Sequence, residues 1–351
     1  MSVRIGFVGA GFMGQLAHLE NYHRVPECDV VALAEVRPEL GRKVAAHYGI
    51  PSIYRSHEEL LADDSVDAVI ASQPFHRNYD MGRAVLRAGK HLFTEKPMAG
   101  TVEDAEALVA LAAEQSVRYA VGFMKRFDPG IQLAQQRLAA LEKSGELGAL
   151  KMVDTTCFLG DWLQNPGHPI RTEEPPPADN LPPRYPGHLD PGLRAAYDHF
   201  LNIYSHNVNL LHFLLPGREL VCESAHRSGQ SFLVVFRAEG LLISLRGTPS
   251  RSNRWEEHTS LHFDKGRVEI QSATPLNRQE VAEVTVWRES CGTWTGQRLF
   301  APVEWAFYRQ AAAFVAAVDR GVELPTSGDK CLADVALMED VFKALQQKVN
   351  T

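Results

Sequence analysis

Gly9-Ala10-Gly11-Phe12-Met13-Gly14 is a glycine-spaced turn set directly after an apolar run and directly before a helical pattern. The spacing suits a backbone that must approach a dinucleotide. The first glycine permits a tight turn, the second leaves room for a pyrophosphate, and the third lets helix and strand pack closely. The helix start then offers N–H groups and a partial positive charge to the phosphates. Phe12 and Met13 are expected to pack at the pyrophosphate turn rather than to recognise anything specific. Glu35 follows Gly14 by 21 residues, at the end of a second apolar run. A carboxylate there accepts hydrogen bonds from adenosine ribose hydroxyls and repels a 2′-phosphate. NAD is therefore the expected cofactor. NADP is the less favoured one, open because Arg37 could pair with a 2′-phosphate if Glu35 swung aside.

A second constellation, Glu95-Lys96-Pro97, lies just past the apolar run His91–Thr94. In an open α/β sheet, ligands bind at the carboxyl ends of the strands. Pro97 restricts Lys96 to extended backbone, which aims the side chain consistently, and an ammonium held there stabilises a developing alkoxide. Gln73-Pro74-Phe75-His76 follows another apolar run; His76 is expected near the nicotinamide, as a cofactor contact or as a helix-start residue. No His, Cys or Asp cluster has metal-ligand spacing, so no metal is expected. The five scattered cysteines lack CxxC spacing and read as reduced thiols.

The elements that must position these groups alternate in type over the first 123 residues. Strands are predicted at Val3–Val8, Val30–Ala34, Asp67–Ala71, His91–Thr94 and Arg118–Phe123. Helices are predicted at Gly14–His23, Glu39–Tyr48, Asn78–Ala88 and Val102–Gln115. This is the pattern of a parallel sheet covered on both faces. Thr101 is expected to cap the last of these helices, with Asp104 favourable in its first turn, and Gly89 to close the helix before it in a left-handed conformation. Beyond Phe123 the rhythm changes. A helix at Pro129–Lys143 and a strand at Lys151–Phe158 precede a Pro- and Gly-rich stretch, 160–195, read as a long irregular insertion: a lid, an assembly arm or a surface excursion. Short alternating runs between Leu220 and Trp287, among them Phe232–Phe236, Leu241–Leu245, Thr259–Phe263 and Val268–Gln271, read as antiparallel strands. Helices near Trp305–Arg320 and Asp329–Lys348 close the chain.

The fold expected is thus an α/β Rossmann domain with a parallel sheet, residues 1–124, plus an α+β domain with an open, mainly antiparallel sheet, residues 125–351. The final helix is allowed to pack back on the first domain. A chain of 351 residues with 45% hydrophobic content supports two cores. With 36 Lys+Arg against 43 Asp+Glu and no basic run, nucleic acid is not an expected partner. No apolar run reaches the roughly 20 residues of a membrane span, and a strand-like start at Val3 predicts no signal peptide. A cytoplasmic protein is expected.

The order of these motifs, with Gly89-Lys90-His91 before Glu95-Lys96-Pro97 and then Gly122-Phe123-Met124-Lys125-Arg126-Phe127-Asp128-Pro129, resembles the Gfo/Idh/MocA oxidoreductases, typified by glucose–fructose oxidoreductase and inositol dehydrogenase. The resemblance covers nearly the whole chain and is most specific over residues 5–130. It implies that Lys96 contacts the reacting oxygen and positions the nicotinamide, that the bond before Pro97 is often cis, and that Glu95 supports the loop or contacts cofactor ribose. It also implies a helical Asp-x-x-x-His motif bearing an acid/base histidine. The matching stretch, Asn202-Ile203-Tyr204-Ser205-His206, keeps the histidine and departs from the pattern with Asn202.

Alcohol oxidation needs a base for the hydroxyl proton, and histidine suits it. Spacing of four sets residues 202 and 206 on one helix face. An asparagine can orient a hydroxyl but carries no charge to tune the histidine; Asp198 or an acid from the insertion could substitute. His206 is otherwise an interior hydrogen-bonded histidine, and Asn202 a neighbour-satisfied amide. Arg126 is a substrate contact or a structural ion pair. Trp162, Tyr204 and Trp255 are stacking candidates for a sugar ring, or core. The expected activity is reversible NAD-dependent oxidation of a ring secondary alcohol in a sugar, sugar derivative or cyclitol. The alternatives are an NAD-retaining enzyme with a net elimination, epimerisation or hydrolysis, and a non-catalytic NAD-binding sensor. The partners implied are a polyhydroxylated small molecule and, by the resemblance, further copies in a homodimer or homotetramer.

Overall fold

The structure is a computed structural model and describes residues 2–164, 166–175 and 181–347. Pro176, Pro177 and Lys348, which fall in the predicted insertion and final helix, lie outside the described residues. The chain divides into two compact units: Met1–Phe123 with Gly167–Pro186 and Phe307–Val335, and Met124–Pro166 with Gly187–Ala306 and Ala336–Thr351.

The first unit carries β1 (Val3–Val8), α1 (Glu20–Tyr22), β2 (Cys28–Ala34), α2 (Pro38–Tyr48), β3 (Ser52–Tyr54), α3 (His57–Leu61), β4 (Ala68–Ala71), α4 (Asn78–Arg87), β5 (His91–Thr94), α5 (Val102–Glu114) and β6 (Tyr119–Val121). Its six strands are parallel in the order β3-β2-β1-β4-β5-β6. This doubly wound order brings the carboxyl ends of β1, β2, β4 and β5 to one sheet edge. Ile5, Phe7, Leu33, Ile70 and Phe93 are fully buried in a core that also takes Phe314 and Val315 of a helix far along the chain. The helical segment after the glycine turn is wound as a π-helix over Gly14–Leu19 before continuing into α1, a winding that the apolar periodicity does not reveal.

Predicted caps fall where expected. The Thr101 side chain accepts the Asp104 N–H at 3.1 Å, and Gly89 has φ +69°, a left-handed conformation open to glycine. β3 and α3 are additions; three and five residues long, they are too short to show a period.

The second unit contains α6 (Pro129–Ser144), β7 (Leu150–Leu159), α7 (Arg194–Ile203), α8 (Ser205–Leu214) and β8 (Val221–Ser228), then β9 (Ser231–Ala238), β10 (Leu241–Gly247), β11 (Glu256–Phe263), β12 (Gly266–Gln271), β13 (Glu283–Ser290) and β14 (Thr293–Leu299). Its sheet runs β14-β13-β12-β11-β7-β10-β9-β8 and is antiparallel except where β7 meets β10. The register sets Val234, Phe236, Ile243 and Leu245 on a buried face, while Val221, Leu233, Leu242 and Met152 are exposed on the other. β13 and β14 carry the sheet past Trp287, where the alternation had suggested it ends. β14 is solvent-exposed along nearly its whole length, so no apolar alternation marks it. The last helices are α9 (Ala306–Arg320) and α10 (Gly328–Gln347).

The start of α6 shows how the motif Gly122–Pro129 organises this unit. Asp128 caps α6 through the N–H groups of Gly130 and Ile131 at 2.8 and 3.1 Å, and its carboxylate also accepts the Ala282 N–H at 3.1 Å. Asp128→Ala orphans all three donors and should cost about 2–3 kcal/mol. Asp128→Asn, which keeps an acceptor oxygen, should cost less. Chemical denaturation of the three proteins compares them directly.

Candidate functional site

At the edge of the parallel sheet the three glycines of the turn do different jobs. Gly9 has φ +92°, and a Cβ there would lie 2.6 Å from Gln73 Nε2 and 2.8 Å from the Ser72 carbonyl oxygen. A Cβ on Gly14 would come within 2.7 Å of the Gly9 carbonyl oxygen, so this position keeps helix and strand together. A Cβ on Gly11 would meet nothing within 4 Å. The open side at Gly11 is the room that a pyrophosphate needs, and residues 9–14 hold no side-chain acceptor that would cap the helix instead. The residues fit a dinucleotide.

Glu35 is placed at the end of β2 as expected, but its carboxylate is not open. Oε2 accepts the Ala10 N–H at 2.8 Å and Arg37 Nη2 at 3.0 Å. Oε1 accepts the Arg37 N–H at 3.1 Å and Arg37 Nε at 2.8 Å. Two donors on each oxygen use its acceptor capacity. The cause is the reach of Arg37, two residues on, which folds back as a bidentate partner. Arg37 is in turn pushed above its ordinary range by that hydrogen bond, against desolvation.

Gln73 stands at the end of β4, where its Nε2 donates to the Val8 carbonyl at 3.0 Å and ties β4 to β1. Pro74 is exposed, and His76 sits in the single helical turn that follows, edge-on to Phe75. Phe12 and Met13 are half-buried.

The lysine loop leaves β5 at the same edge. The Lys96–Pro97 peptide is cis. Glu95 turns inward: its Oε1 meets His18 Nε2 at 2.6 Å, and its Oε2 accepts the Lys96 N–H at 3.2 Å. The fully buried Asn78 donates Nδ2 to the Glu95 and Pro97 carbonyls, both at 2.7 Å, bracketing Lys96. Burial pushes the Glu95 carboxyl up. The hydrogen bond and charge of His18, with Lys96, overcome this and hold it below the usual carboxylate range. Lys90, from the same motif, is structural: its Nζ donates to the Asp63 and Val66 carbonyls at 2.8 and 2.9 Å.

In the second unit, the helix expected across Asn202 and His206 is broken into α7 and α8 at Tyr204. Tyr204 is fully buried against Phe200 and Phe232. It is therefore core and not a stacking platform. Asn202 is exposed in the last turn of α7, and His206 is half-buried in the first turn of α8. Arg126, expected as a substrate contact or an ion pair, is buried. Its Nε donates to Asn209 Oδ1 at 2.8 Å and its Nη2 to the Asn209 carbonyl at 3.1 Å, so it holds α8. Asn207 donates to Glu257 Oε1 at 2.8 Å, and Lys125 Nζ binds the same oxygen of this fully buried carboxylate. α8 is thus pinned just after His206 by Arg126 directly and by Glu257, which Lys125 of the same turn pairs with. Trp162 is exposed on its loop, while the Trp255 indole N–H is buried with no acceptor among the described residues. Among the described residues, no group of His, Cys, Asp and Glu is placed to hold a metal ion.

His18, Asn78, Asn207, Asn209 and Glu257 were not foreseen. Each acts across long sequence separations, and only Asn78, beside a helix start, carried a local signal, which would have suggested a cap instead.

Residues 3–123 match the family model described as "Oxidoreductase family, NAD-binding Rossmann fold". Residues 3–123 belong to the Gfo/Idh/MocA oxidoreductase family. Gfo/Idh/MocA relatives include inositol 2-dehydrogenase of Rhizobium meliloti, 22% identical over 99% of this chain and 98% of that protein. Myo-inositol 2-dehydrogenase of Thermotoga maritima is 24% identical over 76% of this chain and 74% of its own length. A solved 3-ketoreductase from Actinomadura kijaniata, in complex with NADP, shares the fold with a TM-score of 0.76 at 18% identity, covering 98% of both chains. The chain is an oxidoreductase whose residues 3–123 match this family's NAD(P)-binding Rossmann domain, and no helix among its described residues is long and apolar enough to cross a membrane.

Two outcomes follow. Gly11→Ala should leave stability nearly unchanged but weaken NADH binding by about tenfold or more. Gly14→Ala should instead destabilise by about 1–3 kcal/mol; calorimetric titration and thermal melts separate the two. The Glu95–His18 contact carries a pH signature. An acid whose folded pKa is depressed stabilises the fold above its unfolded value and loses that contribution as pH falls through the folded one. Glu95→Gln should cost about 2 kcal/mol near neutral pH, and the gap to wild type should narrow as pH falls below the ordinary glutamate range. Denaturation curves across pH test this.

Proposed function

We propose that the chain is an NAD-dependent oxidoreductase that reversibly oxidises a ring secondary alcohol of a sugar, sugar derivative or cyclitol to a ketone. The observation that carries the reading is Lys96, held by Glu95, His18 and Asn78 at the same sheet edge as the glycine turn. The inositol dehydrogenases among the relatives support the substrate class. Arg37 supports NAD over NADP, because Glu35 already occupies its guanidinium.

A bound nicotinamide supplies the acceptor for the electrons of the alcohol. The Lys96 ammonium stabilises the oxygen as it becomes an alkoxide, and the His206 ring takes the hydroxyl proton. Asn202 orients a second hydroxyl without adding charge. Residues 1–124 hold the cofactor in this reading, with Gln73, Pro74 and His76 beside the nicotinamide, and residues 125–351 hold substrate and form the oligomer. The exposed apolar residues Val221, Leu233, Leu242 and Met152 on one sheet face support a homodimer or homotetramer.

Asn202, standing where relatives of this type are expected to carry aspartate, favours a second reading in which NAD is retained and the net outcome is elimination, epimerisation or hydrolysis. NAD copurified with the protein, with turnover needing none added, would select it.

With NAD and a panel of cyclitols and sugars, the purified protein should form reduced nicotinamide. Lys96→Ala and His206→Ala should each lower kcat by about 10²–10⁴. Their NADH dissociation constants should move by less than about threefold. Full NAD binding with no turnover on any member of the panel overturns the dehydrogenase reading.

A further inference from the structure

The described residues of the segment 167–186 belong with the first unit, and 170–174 are fastened there at two places beside the cofactor edge. The first is the segment after the glycine turn. The Ile170 N–H donates to Gln15 Oε1 at 2.8 Å, and Gln15 Nε2 donates back to the Ile170 carbonyl at 3.1 Å. The same Nε2 donates to the Ala10 carbonyl at 2.8 Å. The second place is the start of α2, four residues along the strap.

There the helix has no cap of its own, since Arg37 precedes it and offers no side-chain acceptor. Its first donors after Pro38, the N–H groups of Glu39 and Leu40, go to Glu174 Oε1 and Oε2 at 2.9 and 2.8 Å. Thr172 Oγ1 donates to the same carboxylate at 3.0 Å. Burial raises the Glu174 carboxyl, but the two N–H groups, Thr172 and the charge of Arg37 outweigh it and hold it below the usual range.

In a doubly wound sheet the adenosine ribose is read at the end of β2. A phosphate on its 2′ oxygen would draw on the donors nearest that point: the Arg37 guanidinium and the N–H groups at the start of α2. Both are engaged by carboxylates of this chain, Arg37 by Glu35 and the helix start by Glu174. We infer that Glu174 is a cofactor-selectivity residue, a carboxylate supplied from the 167–186 strap that occupies the donors a 2′-phosphate would need and so selects NAD(H) over NADP(H). The inference rests on the NAD reading proposed above and adds a determinant outside the βαβ fingerprint. NAD(H), with a free 2′-hydroxyl, makes no demand on those donors. NADP(H) would have to displace Glu174 and bring a further doubly charged group between two carboxylates.

The test measures NADH and NADPH affinity, by nicotinamide fluorescence, for the full-length wild type, Glu174→Gln and Thr172→Val. Glu174→Gln removes the charge and keeps the shape, and circular dichroism and thermal melts verify that it is folded. The expected result is a wild-type preference for NADH that narrows by about tenfold in Glu174→Gln. Thr172→Val, which keeps the carboxylate, should hold the wild-type ratio. If both affinities of Glu174→Gln move together and the ratio holds, Glu174 only caps α2; the inference fails and the NAD reading stands. If Thr172→Val narrows the ratio equally, loosening of the strap and not charge is the cause, and the inference fails. A wild type that prefers NADPH overturns the NAD reading and the inference with it.

Discussion

A helix start leaves backbone N–H donors that something must accept, and the way each one is met here decides what the first unit is able to bind. Thr101 satisfies α5 from its own sequence. α2 has no local cap and receives one from residue 174. The helix after β1 differs from both: its turn contains no capping side chain, and the space over Gly11 is empty of protein atoms. The residues of this start fit a dinucleotide phosphate. The macrodipole is the same at each start, so local side chains and not the field decide which of them a ligand meets.

The same economy governs the lysine loop. A lysine side chain has about 2 kcal/mol of rotamer entropy to lose, so its use depends on how firmly its backbone is held. Glu95 and Asn78 hold it from either side, and His18 turns the glutamate inward. Glu95 is therefore a positioning residue, its acceptors directed at the protein. In the second unit α8 is held by a comparable arrangement of amides bridging charges, Asn207 to Glu257 and Asn209 to Arg126. Burying the Lys125–Glu257 pair gives up hydration that hydrophobic residues would not have to give up. What the pair contributes is a defined place for the helix that carries His206.

Much of this was legible in the sequence because it is local. β1 and β5 run over the residues that the apolar runs marked, Thr101 caps where a threonine before a helix should, and the glycine turn follows its strand at once. What escaped is non-local. Glu35 and Arg37 were both named, yet their mutual bidentate pairing depends on a side-chain conformation that spacing does not determine. The break at Tyr204 interrupts a stretch with helical composition on both sides, and its cause is the seat of the ring against Phe200 and Phe232, one of them on a strand 28 residues later. Arg126 was assigned to ligand or ion pair because its partner, Asn209, lies 83 positions away and is neutral.

The strap is the clearest case of compactness overriding chain order. A Pro- and Gly-rich stretch has no periodic face to bury, so composition marks it as a loop and is silent about where it rests. Its described residues rest mainly through polar contacts, at Gln15, Glu39 and Leu40 and in the Arg184–Asp104 ion pair, with Ile170 packed against the core, so little apolar pattern is left to detect. The fingerprint that reads a ribose is confined to one βαβ unit, whereas the charge balance around that ribose includes residues from outside it. Arg37 feels Glu35 first and Glu174 as well. A carboxylate at the end of β2 is therefore an incomplete guide to cofactor choice in a chain that lays a second carboxylate over the start of the next helix, since the field at the 2′ position is the sum of both.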